Sequence, residues 1–290
     1  MTIKVMLSLC LVWAASGCLH AETAMTDTNN RYDRGLKQLK AIDKEAGERV
    51  LETLNSISPD LGRYIIEYAF GDVYHRPELA LKAKEIAVVA ALTAMGNANP
   101  QLKVHIHGAL NVGCTIAEVQ EVILQMSAYS GFPSAINGML ALKDVLAQRK
   151  AEGKKDQPGT VLPAAIAKGK TRYEAGADQL RVLNSDQVEI LEKTFADISP
   201  DMAKFVIEYG FADLYARPAL DLRYREIATI AALTAMGNAT SQLAFHIKAG
   251  LHIGVTRSEI REIMILMSVY AGFPAAINGT LALKEVLEAK

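Results

Sequence analysis

The chain has little cysteine: three residues in 290, at Cys10, Cys18 and Cys114. Two of them fall in the N-terminal stretch, so Cys114 has no intramolecular disulfide partner except Cys18. A disulfide framework is excluded, and stability must come from packing. Charge of one sign is also lacking, with 31 Lys and Arg against 32 Asp and Glu. No basic run is present, which argues against a nucleic-acid partner. His105 and His107 are two apart, on different faces of a helix, and no His/Cys/Glu cluster has metal-ligand spacing. There is no phosphate-cradling glycine loop and no serine elbow. Beyond the N-terminus no apolar run reaches membrane-spanning length. Val, Ile, Phe and Tyr never alternate cleanly with polar residues, so no sheet is expected.

What is present begins with a signal-like N-terminus. Lys4 precedes an apolar run from Val5 to Ala15, followed by Ser16-Gly17-Cys18. That layout reads as a secretory signal over residues 1–21 and predicts export, to the periplasm or beyond. Two processing routes stay open: lipidation of Cys18, the one membrane link expected, or cleavage near Ala21.

The strongest signal is an internal repeat. Ala91 to Ala98 reads ALTAMGNA, and so does Ala232 to Ala239; Gly131-Phe132-Pro133 returns as Gly272-Phe273-Pro274. His105/His246, Glu67/Glu208 and Arg76/Arg217 keep the same offset of 141 residues. A constant offset means tandem duplication without insertions. The two copies occupy residues 31–149 and 172–290, and the Gly-, Pro- and Lys-containing stretch 150–171 reads as a linker.

Each copy reads as helices. Leu36, Leu39, Ile42, Ala46, Val50 and Leu54 recur at three- and four-residue steps. Ser58-Pro59 is a cap with a first-turn proline. Ile86 to Met95 is almost wholly apolar, which predicts a helix surrounded on all sides. Thr115 with Glu118, and Thr256 with Glu259, fit capping boxes.

Within this frame a few side chains are suited to chemistry. His105 and His246 share a helix face with apolar residues, so their rings should point inward, either as acid–base groups or as core histidines bonded to the backbone. Glu67 and Glu208 lie in aromatic, apolar runs, a setting for a general acid, although an ion pair with Arg63 or Arg76 would also explain the first. Glu85 and Glu226 open the all-apolar helix as site carboxylates or as favourable first-turn charges. Arg76 and Arg217 precede prolines at helix ends. They either fork onto a substrate carboxylate or neutralise a helix terminus. Tyr129 and Tyr270, before the Gly-Phe-Pro turn, fit a pocket wall or core.

Taken together these residues resemble the γ-carboxymuconolactone decarboxylase family, twice over. The first copy carries Arg31-Tyr32 with Gly35, Glu67-Tyr68, Arg76-Pro77, His105 with Gly113-Thr115-Glu118-Glu121, and Tyr129-Gly131-Pro133. The second repeats the set from Arg172-Tyr173 and Gly176 through His246 to Tyr270-Gly272-Pro274. The resemblance implies an all-α fold: two tandem alkylhydroperoxidase D-like multi-helix domains forming a pseudo-dimer. It further implies no cofactor, a small-molecule substrate, and a homo-oligomer, with three tandem chains giving six repeats. The activity implied is that of a lyase or isomerase on a small carboxylated or lactone substrate, with Arg76 or Arg217 holding a carboxylate and His105 or His246 with a glutamate protonating the carbanion. A non-catalytic envelope binding or assembly protein that has kept the fold is the alternative. Alkylhydroperoxidase D-like enzymes place two cysteines just ahead of the histidine; Asn97 to Leu102 and Asn238 to Leu243 contain none, which argues against thiol peroxidase activity.

Overall fold

The computed structural model describes residues 30–43 and 46–289. The expected signal segment lies outside the described residues. Every regular element among the described residues is a helix, and no described helix is long and apolar enough to cross a membrane.

The chain forms two compact units divided after Arg76. The first contains α1 (30–42), α2 (Ala46–Asn55), α3 (Pro59–Tyr64) and π1 (Ile65–Tyr74). Pro59 sits in the first turn of α3, where its missing N–H costs nothing. From Ile65 the helix widens to i→i+5 hydrogen bonding, a departure that a 3.6-residue periodicity does not announce. Helix α1 lies so close to π1 that a Cβ at Gly35 would meet the Ile66 carbonyl oxygen at 2.0 Å. Only glycine permits that approach, and Gly176 repeats it against Ile207 at 2.1 Å.

The second unit holds the rest: α4 (Leu81–Met95), α5 (Asn99–Asn111), α6 (Ile116–Tyr129) and α7 (Phe132–Ala151) from the first repeat. The second repeat adds α8 (Arg172–Leu183), α9 (Gln187–Phe195), α10 (Pro200–Phe205) and π2 (Val206–Tyr215). It ends with α11 (Leu222–Met236), α12 (Thr240–His252), α13 (Arg257–Tyr270) and α14 (Gly272–Glu288). Compactness therefore does not follow the repeat boundary.

The reason is the pairing of α4 with α11, the most extensive helix contact in this unit. Ala87, Val88, Ala90 and Ala91 of α4, and Ile227, Ala228, Ala231 and Ala232 of α11, are wholly buried. Small alanines let the axes approach, while Val88, Val89, Ile227 and Ile230 fill the seam. Each such branched side chain contributes about 1.5–3 kcal/mol by leaving water. A helix apolar all round needs neighbours on all sides, and the other repeat provides one of them.

Both expected capping boxes form, with Thr115 Oγ1 accepting from Glu118 N–H and Thr256 Oγ1 from Glu259 N–H. The linker is tied down at its start. Gln157 and Pro158 carbonyls accept from the Ile116 and Ala117 N–H groups, which the first turn of α6 leaves without helical partners. Arg149, itself buried, binds Asp156 at 2.6–3.0 Å and Asn111 at 2.9 Å, with His107 at 3.4 Å. The sequence differences His107/Lys248 and Asn111/His252 thus fall where the linker docks.

Candidate active site

His246 is positioned by α12, with its ring turned inward and 4% of the residue exposed. Glu226, in the first turns of α11, is fully buried and its Oε2 lies 2.9 Å from His246 Nδ1. The other ring nitrogen, Nε2, lies 3.1 Å from the hydroxyl of Tyr129, at the end of α6 in the first repeat. Tyr129 and Phe245 both meet the imidazole edge-on, with centroids at 5.3 and 4.9 Å. Ring orientation is fixed from three sides.

Behind Tyr129 runs a chain of hydrogen bonds. Its hydroxyl is 2.9 Å from that of Tyr215, which is 2.9 Å from Thr229 Oγ1. Gln125 Nε2 then donates to Thr229 Oγ1 at 2.7 Å and to the Arg225 carbonyl at 2.9 Å. The amide cannot turn over, because Gln125 Oε1 accepts from the Arg225 guanidinium at 2.9 Å. A Thr229 oxygen that accepts from Gln125 has its own proton to give to Tyr215. The same direction follows from the other end. A carboxylate at Glu226 takes the Nδ1 proton, leaving Nε2 to accept from Tyr129 and Tyr129 to accept from Tyr215. Burial, with the Glu226 charge adding to it, pushes both phenols above their ordinary range, so they remain proton donors. The second oxygen of Glu226, like that of Glu85 in the first repeat, is buried without a protein hydrogen-bond partner.

His246 closes one end of a cleft of about 810 Å³, lined on its polar side by Ser127, Tyr129, Tyr209 and Gln242. Val206 and Gly210 of π2 line the cleft, and Tyr215 at its end joins the relay. Phe132 and Tyr209 meet across the repeats at 5.6 Å, and Ser127 bonds Tyr209 at 2.6 Å. The cleft thus draws on both repeats.

The first repeat reproduces the dyad: His105 Nδ1 lies 2.9 Å from Glu85 Oε2, and Tyr270 meets the ring edge-on at 4.9 Å. It does not reproduce the anchor, since Val88 and Leu266 stand where the second site has Thr229 and Gln125.

Other sequence candidates stand elsewhere. Between the glutamates open to each histidine, the geometry selects Glu85 and Glu226. Glu208 pairs with Arg172 at 3.4 Å and does not line the cleft. Glu67, in the first unit, faces Arg31 and Arg63 at 3.9 and 3.8 Å, the ion-pair reading. Arg217 does not reach the cleft either. Its guanidinium grips Glu121 at 2.8–2.9 Å, so an internal carboxylate occupies the fork foreseen for substrate. Arg76 closes the first unit after π1. Tyr215, Thr229 and Gln125 were missed. The recurrence of Tyr74 at Tyr215 could have flagged the first, but nothing in sequence marks the other two.

Residues 59–144 and 200–285 match the carboxymuconolactone decarboxylase family, together more than half of the chain. The chain belongs to the carboxymuconolactone decarboxylase family. Among its relatives is the 4-carboxymuconolactone decarboxylase of Acinetobacter baylyi, 31% identical over 40% of this chain and 86% of that protein. The nitrosuccinic acid decarboxylase of Metarhizium robertsii is 27% identical over 44% of this chain and 89% of its own. Peroxisomal protein 2 of Saccharomyces cerevisiae is 27% identical over 38% of this chain and 40% of its own length.

One prediction arises from Cys114. Its thiol is 1% exposed, and burial pushes its pKa up to about 12, against a lowering by Lys82. A thiol held protonated is inert. Iodoacetamide at pH 8 is expected to leave Cys114 unmodified in the folded chain and to label it in urea, as read by peptide mass spectrometry.

Proposed function

We propose that this family member is a cofactor-independent carboxy-lyase in which His246 and Glu226 manage one proton. The observation that carries the reading is His246 held at a cleft end with Nδ1 on a buried carboxylate and Nε2 on a phenol. Decarboxylase relatives support the reaction class.

In the reaction the bond to the substrate carboxylate breaks, carbon dioxide leaves, and the electron pair stays as an enolate. His246, whose Nε2 accepts from Tyr129 at rest, takes a proton from water and delivers it from Nε2 to the enolate carbon. Glu226 holds the Nδ1 proton throughout and offsets the imidazolium charge. Tyr129, freed from Nε2 by that protonation, still accepts from Tyr215 and turns its own proton toward the enolate oxygen. Isomerisation of a lactone would use the same proton transfers without loss of carbon dioxide.

The test is a panel of β-keto acids and unsaturated lactones incubated in deuterium oxide. One deuterium at the carbon that lost carbon dioxide, on one face only, is the expected result. Turnover that persists unchanged in His246→Gln would refute the assignment.

We further propose self-association. Phe132, Ile136 and Leu140 form a row at four-residue steps on α7, and Phe273, Ile277 and Leu281 repeat it on α14; all are more than half exposed. Two such rows are more apolar surface than a lone chain usually leaves in water. Light scattering is expected to show an oligomer, and Ile136→Glu with Ile277→Glu is expected to shift it toward the single chain.

A further inference from the structure

The cleft has walls that do not suit a multiply charged acid. Phe132, Leu191, Phe195, Met202, Phe205 and Phe245 are among the residues that line it. No lysine, arginine, aspartate or glutamate is among the described residues lining it. Arg217 and Arg225, beside the relay, are both bound to Glu121 at 2.8 Å. A second carboxylate held there would lose its hydration without a cation in return, a cost of several kcal/mol. One carboxylate is different, because its departure as carbon dioxide removes the charge, and an apolar wall favours that step.

Gly210 adds to this. It lines the cleft, and a Cβ built on it meets nothing within 4 Å, whereas the first repeat carries Ala69 there, 4% exposed. The second repeat keeps open space at this wall. The volume of about 810 Å³ lies in the range of sites that enclose drug-sized molecules, and is ample for a six-carbon acid.

We propose that the cleft takes a molecule with an apolar alkyl or aryl body joined to a single carbonyl or lactone head, uncharged apart from any carboxylate it loses. The head meets Tyr129 and His246, and the body lies along Leu191, Val206 and Phe245. This rests on the acid–base reading for the role of the head, but not for the binding of the body.

The test uses the full chain and the neutral fluorophore N-phenyl-1-naphthylamine, displaced by γ-alkyl lactones of increasing chain length. Binding is expected to tighten about fourfold per methylene until the cleft is filled, while muconate and succinate fail to displace the probe. Gly210→Leu is expected to weaken probe binding at least tenfold with unaltered thermal unfolding, and Gly210→Ala to weaken it far less. Displacement by muconate better than by long-chain lactones would overturn the proposal, as would equal probe binding in Gly210→Leu. It would also be overturned if the probe bound only the dissociated chain, since a second copy would then occupy the cleft. Because probe binding requires no turnover, tight lactone binding without deuterium incorporation would defeat the acid–base reading alone. Turnover confined to short, charged acids would defeat the ligand class alone.

Discussion

Replacing His246 by glutamine is expected to lower turnover by about 10²–10⁴-fold, the span that a positioned acid–base group supplies. Glutamine keeps a donor for Glu226 Oε2, 2.9 Å from Nδ1 in the wild type, so the fold should survive. The loss should appear in kcat, with KM little altered, because the proton moves in the transition state. His105→Gln is expected to cost much less. Its dyad with Glu85 has the same 2.9 Å geometry, but Val88 and Leu266 leave the first site without the Thr229–Gln125 anchor. Thr229→Val installs in the second site what the first already has. It removes both hydrogen bonds of Thr229 Oγ1, from Gln125 and with Tyr215; the loss of the one that feeds the relay, about 1.4 kcal/mol, is tenfold in kcat. Equal losses from His105→Gln and His246→Gln would show that the relay does not distinguish the sites.

Glu121→Ala is expected to destabilise the chain by about 3–5 kcal/mol, the cost of leaving a buried charge without its partner. Glu121 Oε2 receives Arg225 at 2.8 Å, and both side chains are 1% exposed. Arg225 also donates to Gln125 and to the Arg217 carbonyl, so the relay loses its anchor as well. Urea unfolding is the measurement, with a lower midpoint at unchanged slope as the expected result. The contrast is Arg172→Ala, whose side chain is 44% exposed beside Asp213; a solvated pair of that kind should cost under about 1 kcal/mol. If the two variants unfold alike, Arg225 is not held by Glu121 in the manner described.

Local chemistry made much of this protein legible before any coordinates. The constant offset between repeats showed two equivalent helical copies, because topology cannot diverge where no residue is inserted. Thr115–Glu118 and Thr256–Glu259 specified helix starts through bonds spanning only three residues. The almost wholly apolar run from Ile86 to Met95 announced a helix without a solvent face. The paired histidines could be picked out as inward-facing, since side-chain direction on a helix follows from spacing alone.

What the sequence could not rank were groups that meet across long separations. Glu226 and Glu208 were equal candidates for His246 until the fold set Glu226 at 2.9 Å and gave Glu208 to Arg172. Arg217 looked available for a substrate, yet Glu121, 96 residues earlier, takes its guanidinium. The widening of π1 and π2 is likewise silent in a 3.6-residue pattern. The sequence by itself determined the helical class, the duplication, the caps and which histidines face inward. These rest on contacts within a few turns, or on a comparison of the chain with itself. Only the tertiary structure decided the partner of each histidine, the anchored relay from Gln125 to Tyr129, and the charge-free walls of the cleft. The reason is that these depend on where α6, α11 and α12 cross, and crossing is set by the packing of α4 on α11 between repeats, a long-range fit that no local pattern encodes.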